Sequence, residues 1–132
     1  MKFHQNIYLS GTWEKPIETI NKASIVLLFG NRDLVKDKVI MAEIRTHYPN
    51  ANIVGCTTAG EIKDTKIYDD SLCLTAIEFS HSSTSVHCGS ITNSSTLEVA
   101  KNLADSLHKE GLRYVLVLSD GHQINGTELV NG

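Results

Sequence analysis

The chain has 132 residues, 41% of them hydrophobic and 20% charged, with a formal net charge of −3. That length suits one domain, and the mild negative charge leaves no field that would draw the chain to nucleic acid or to an anionic membrane. The longest apolar stretch, Ile25 to Phe29, is far too short to span a bilayer, and the N-terminus lacks the apolar core of a secretory signal. Cys56, Cys73 and Cys88 are odd in number and not in a C-x-x-C spacing, so neither a disulfide framework nor a zinc knuckle is supported. The expectation is a cytoplasmic protein with reduced thiols.

Phe3, Gln5, Ile7 and Leu9 alternate with Lys2, His4, Asn6 and Tyr8, which predicts a strand at one sheet edge, ended by Ser10-Gly11. Trp13 to Asn21 predicts a short helix opened near Pro16. Ile25 to Phe29 reads as a strand covered on both faces. Asp33 is placed to cap a helix over 33–47 that Pro49 stops, and Asn52 to Val54 predicts the next strand. Such a β-α-β unit implies parallel strands and a right-handed crossover.

From Glu61 the pattern turns antiparallel. Residues 61–68 predict a strand, Asp69-Asp70-Ser71 a turn, Leu72 to Phe79 a strand, and Val86 to Ile91 another. Ser95-x-x-Glu98 is a capping box, and Leu97, Ala100, Leu103, Ala104 and Leu107 follow at helical spacing over 96–110, with Gly111 as the stop. Tyr114 to Leu118 predicts a last strand. Asn125-x-x-Glu128 opens another helix with little sequence left to complete it, so the expectation is a fragment of a longer domain. The predicted fold is one α/β domain over 1–132. Its mixed sheet has parallel central strands near 25–29, 52–55 and 114–118 and an antiparallel extension, with helices packed on the faces.

Two hydroxyl- and glycine-rich segments follow predicted strands. One is Gly55-Cys56-Thr57-Thr58-Ala59-Gly60-Glu61, the other Ser119-Asp120-Gly121 with Asn125-Gly126. In an open α/β sheet, ligands bind beyond the carboxyl ends of the strands. If the two strands are parallel neighbours, both segments emerge at one rim. Thr57, Thr58, Ser119, Asp120 and Asn125 would then supply polar contacts, while Gly55, Gly60, Gly121 and Gly126 shape the backbone. The plainer reading is that these residues simply turn the chain. A P-loop is excluded, because Glu61 stands where the phosphate-binding Lys belongs.

Gly55-Cys56-Thr57-Thr58-Ala59-Gly60-Glu61-Ile62 resembles the GCSTAGEI-type segment of the FIST family's N-terminal domain, with the hydroxyl kept at Thr57. Leu118-Ser119-Asp120-Gly121 and Asn125-Gly126-Thr127-Glu128-Leu129-Val130-Asn131-Gly132 resemble that family's LSDG…NGxxLxxG segment. Ala23 to Phe29 resembles its first core strand. The resemblance covers most of residues 23–132. It implies a non-enzymatic sensory module that binds a small polar molecule, with amino acids as suggested ligands and Gly55, Cys56, Thr57, Thr58, Gly60, Glu61, Ser119, Asp120, Gly121, Asn125 and Gly126 as the ligand-binding set. The implied partners are signalling outputs such as histidine kinases, diguanylate cyclases or chemoreceptors.

Two alternatives stand beside that reading. Some members of the family are haem proteins that sense nitric oxide. Of the six histidines, His122 is the best placed axial ligand by sequence, and no cofactor is otherwise expected. A cysteine-dependent enzyme would use Cys56 on a glycine-flanked turn, with His122 as base and Glu61 or Asp120 to orient it. The plain reading of Cys56 is a small residue filling space under the loop.

Overall fold

The computed structural model describes all of residues 1–132. The chain forms two compact units, Met1–Thr84 and Ser85–Gly132.

The first unit carries the sheet. In chain order it comprises β1 (Lys2–Leu9), β2 (Thr12–Trp13), β3 (Ile25–Gly30), α1 (Arg32–Lys36), α2 (Lys38–His47), β4 (Asn52–Thr57), β5 (Glu61–Lys63), β6 (Lys66–Tyr68) and β7 (Leu72–Glu78). The five-stranded sheet runs β2-β1-β7-β3-β4, and β5-β6 is a separate hairpin. β3 and β4 are parallel, joined by the helical crossover, while β7 is antiparallel to both β1 and β3. The fold is therefore α/β with a mixed sheet, as expected. The strand order differs from the expected one: antiparallel β7 takes the centre, and the parallel pair lies at one edge.

The period-2 pattern of β1 sorts its residues between two unlike faces. On one face the register aligns His4–Ala76–Val26–Ile53, Asn6–Leu74–Leu28–Gly55 and Tyr8–Leu72–Gly30–Thr57 across β1, β7, β3 and β4. Ile40 and Ile44 of α2 and the adjoining Tyr48 bury that face, forming the core with Val26, Leu28, Leu72, Leu74 and Ala76. Each fully buried aliphatic side chain contributes about 2 kcal/mol, so this layer dominates the unit's stability.

Several expected elements changed for identifiable reasons. The edge position expected for β1 belongs to β2, because Ser10 and Gly11 both take positive φ (52° and 85°) and close a two-residue hairpin. Helix 33–47 is two helices. Asp37 takes an extended ψ of 117° and accepts from the N–H groups of Val39 and Ile40 (2.7 and 3.1 Å), so it caps α2 and breaks the run. Asn31, not Asp33, caps α1, accepting from the Asp33 N–H at 2.8 Å. The 61–68 run folds back at Asp64 (φ 54°) into β5 and β6.

The expected helix over Trp13–Asn21 does not form. Side chains outside it claim its backbone groups. Asn6, fully buried, donates to the Lys15 carbonyl at 2.7 Å and accepts from the Lys15 N–H at 3.4 Å. His4 Nε2 accepts from the Glu18 N–H at 3.4 Å, and the Tyr48 hydroxyl donates to the Glu18 carbonyl at 2.5 Å. These bonds strap an extended segment across the core face. Burial pushes the Tyr48 hydroxyl up to about 12, so it stays a donor.

The same strap makes stability depend on pH. Burial holds His4 below its ordinary 6.5; the Glu18 carboxylate opposes that effect and Lys15 adds to it. The unfolded chain thus takes up the proton at higher pH than the folded one. His4's contribution is fully present above about pH 6.5 and is lost as pH falls through the depressed folded value. Urea melts of the parent chain should weaken from pH 7 to pH 5 more steeply than those of His4→Gln, whose amide oxygen accepts the same N–H. Equal slopes would remove His4 as the source.

The second unit holds α3 (Thr96–Ser106) and α4 (Gly126–Asn131). Ser95 Oγ accepts from the Glu98 N–H at 3.2 Å, as the capping box requires. α3 ends at Ser106 rather than 110, and Gly111 serves a later turn at φ 74°. Neither Val86–Ile91 nor Tyr114–Leu118 is a strand, which corrects both expectations and removes the third parallel strand. An apolar run becomes a strand only where a ladder receives its backbone groups, and this unit contains no strand to supply one. Tyr114 is 94% exposed.

Candidate functional site

The segment 55–61 is less of a loop than its composition suggests. Gly55, Cys56 and Thr57 are the last three residues of β4, and the connection to β5 is only Thr58-Ala59-Gly60. Gly55 faces the core side in register with Leu28, and an added Cβ would overlap the Leu28 carbonyl oxygen. Gly30, at the end of β3, is equally confined: a Cβ there would lie 2.5 Å from the Ser71 carbonyl oxygen and 2.8 Å from Leu72 Cα. These glycines let backbones approach at the carboxyl rim of the parallel pair.

A polar network closes that rim. Glu61 is buried (3% exposed). Its Oε1 accepts from the Thr58 hydroxyl at 2.7 Å, and its Oε2 accepts from the fully buried Ser71 hydroxyl. Thr58 N–H adds a last rung to the Gly30 carbonyl at 3.0 Å, and Asn31 N–H donates to the Ser71 carbonyl at 2.8 Å. The Asn31 amide donates to Asp70 at 3.0 Å, and Asp70 takes φ 48° to turn the chain into β7. Glu61 thus ties the ends of β3, β4 and β7 through three short segments. Thr57, Thr58 and Ala59 remain exposed above it.

Cys56 is a half-buried strand residue opposite Phe29, on the face away from the core. It does not occupy a turn, so the nucleophile-elbow geometry is corrected. Cys73 is buried beside Ile62, and burial, then the Glu61 charge, pushes its thiol up. Lys63, buried, pairs with Glu14 at 2.8 Å and Asp64 at 3.0 Å. The Glu14 carboxylate, then Asp64, raises its pKa, so it stays a cation that anchors the β5–β6 hairpin to the strap.

The remaining expected site residues belong to the second unit. Asp120 Oδ1 accepts from the N–H groups of His122 and Gln123 (2.8 and 3.1 Å), which hold its carboxyl below the usual range. Asn125 caps α4 by accepting from Thr127 and Glu128 N–H (3.0 and 3.2 Å), and its own N–H donates to the Thr96 hydroxyl at 3.3 Å. Ser119, Asp120, Gly121, Asn125 and Gly126 are exposed, and a Cβ added at either glycine meets nothing within 4 Å. His122 is exposed on the Asp120 turn, with Gly121 and Gln123 exposed beside it.

Two concavities form elsewhere. One of about 280 Å³ lies in the first unit among Thr19, Ile20, Ala23, His47, Asn50 and Ala51. These residues precede β3 and β4 or end α2, so it opens at the amino rim of the parallel pair. The other, about 340 Å³, lies in the second unit among His87, Cys88, Ser94, Val99, Leu103 and Ser106.

Sequence reasoning missed Ser71, Asn31 and the Asn6–His4–Tyr48 anchors. Asp69-Asp70-Ser71 reads as a turn in either case, and nothing in its spacing indicates that Ser71 returns to Glu61. A polar residue inside an alternating strand, such as Asn6 in β1, was the available sign of a buried hydrogen-bonding role.

No helix of the chain is long and apolar enough to cross a membrane. Residues 24–132 match the family model described as FIST N domain. No curated protein and no solved structure matches the chain significantly.

Proposed function

Because the chain belongs to the FIST N-domain family, we propose that it is a ligand-binding sensory domain for a small polar molecule, an amino acid being the first class to test. The family is associated with signal transduction and small-ligand sensing. The family match over residues 24–132 carries this reading. The geometry supports it at the carboxyl rim of β3 and β4, where Thr57 and Thr58 offer exposed hydroxyls on a short backbone segment braced from beneath by Glu61. In this reading Glu61 and Ser71 position Thr58, and Ser119, Asp120 and Asn125 form a second polar set. The signal passes to an output partner such as a histidine kinase, a diguanylate cyclase or a chemoreceptor. A ligand transmits only its difference in affinity between two states, so the bound state must rearrange the rim.

A thermal-shift screen of amino acids and related metabolites tests the proposal. A binder at 100 times its dissociation constant stabilises by about 2.7 kcal/mol, a rise of several degrees for a domain of this size. Thr57→Val should reduce that shift while leaving the unliganded melting temperature within about 3 °C. Thr58→Val should reduce it as well, but with a lower unliganded melting temperature, because it takes a donor from the buried Glu61 carboxylate. A shift abolished by His47→Ala and untouched by either threonine variant would move the site to the amino-rim concavity. No shift with any compound would end the sensing proposal for this chain.

A further inference from the structure

β4 ends the sheet, and no strand lies beyond it. Its sequence, Asn52-Ile53-Val54-Gly55-Cys56-Thr57, has no proline, no charge and no bulge, the usual devices that keep an edge from pairing. Asn52 and Thr58 donate their N–H groups inward, to the carbonyls of Ser24 and Gly30, each at 3.0 Å. Backbone direction alternates along a strand, so Ile53, Gly55 and Thr57 turn their N–H and C=O groups outward. Gly55 and Thr57 are exposed.

We propose that this edge is a self-association surface, on which β4 of a second copy pairs antiparallel across a two-fold axis at Gly55. The pairing is self-complementary. Only residues of equal parity share a face, and a register centred on Gly55 sets Ile53 against Thr57 of the second copy, and Thr57 against Ile53. Those three pairs are the outward-bonding residues, so all six outward N–H groups find carbonyls. Val54 then lies against Cys56 of the second copy on the face that also carries Leu27 and Phe29, which continues that apolar row from one sheet to the next. No like charges meet, because β4 has none. At the axis Gly55 carries no side chain to separate the strands. An isologous contact of this kind closes on itself as a dimer.

The test uses the full chain. Light scattering should give twice the chain mass at high concentration, and the amides of Ile53, Gly55 and Thr57 should exchange more slowly as concentration rises. Val54 and the opposed Cys56 form a non-hydrogen-bonded pair, whose Cα separation of about 4.5 Å lies within disulfide range. In a Cys88→Ser background, Val54→Cys with oxidised glutathione as the two-electron acceptor should give a covalent dimer linked from position 54 to Cys56. A monomer with freely exchanging edge amides overturns the proposal. So does a monomer with those amides protected, which would mean that another strand of the same chain holds the edge. A dimer whose cross-link does not form also overturns it, because the contact then lies elsewhere.

Discussion

Gly55→Ala is expected to destabilise the first unit by about 3 kcal/mol or more, enough to leave much of the population unfolded at 37 °C if the parent is marginal. The new methyl would overlap the Leu28 carbonyl oxygen, which is backbone and cannot swing aside as a side chain can. Relief requires β4 to shift against β3 over their whole register, Ile25–Gly30 on Asn52–Thr57. Gly121→Ala provides the contrast. Nothing lies within 4 Å of its added Cβ and its φ is not positive, so its stability should stay within about 0.5 kcal/mol of the parent. Chemical denaturation of both variants measures the difference. Comparable losses would mean that the close approach at Gly55 is not what its lack of a side chain serves.

The second large effect is expected at Glu61. Glu61→Leu removes both acceptors and leaves the hydroxyl of the fully buried Ser71 without a partner, while the exposed Thr58 exchanges its bond to the carboxylate for water. An unsatisfied buried hydroxyl costs about 1–3 kcal/mol, so a total loss of about 3 kcal/mol is expected. Glu61→Gln retains one carbonyl acceptor and an amide that can donate to the other hydroxyl oxygen, so about 1 kcal/mol should be lost. The double variant Glu61→Leu with Ser71→Ala should recover part of the difference, since it removes the orphan together with its acceptor. An Ser71→Ala change that fails to rescue Glu61→Leu would show that the carboxylate is not the brace between β5 and the start of β7. The pair of Glu61 variants also separates roles at the rim. A Gln variant that folds normally yet loses ligand response would give Glu61 a part in binding beyond holding Thr58.

These two residues mark what could be read in advance. The cluster Gly55 to Glu61 stood out in the sequence because small, hydroxyl-bearing and acidic residues make poor core. Its position after a strand of a β-α-β unit followed from the apolar runs at 25–29 and 52–54 and the helical spacing between them. The boundary was misjudged at Gly55. Glycine is a weak strand former, and only the ladder to Leu28 and Phe29 extends β4 through Gly55 and Cys56. That Glu61 is a buried brace was not legible, because its partner Ser71 is ten residues away and reaches it through a hairpin and a reversed turn at Asp70.

Local patterning was thus sufficient for the α/β class, the β1 alternation, the parallel crossover, the β7 strand and the Ser95 and Asn125 caps. Each depends on residues within a few positions of one another, where side-chain period and hydrogen-bonding reach decide the outcome. The extended strap at Glu14–Ile20, the central place of β7 and the closing of Glu61 on Ser71 depended on groups brought together from distant parts of the chain. So did the unpaired state of Tyr114–Leu118. A backbone segment adopts whichever arrangement satisfies its N–H and C=O groups, and for these segments the satisfying or missing partner was set by the fold.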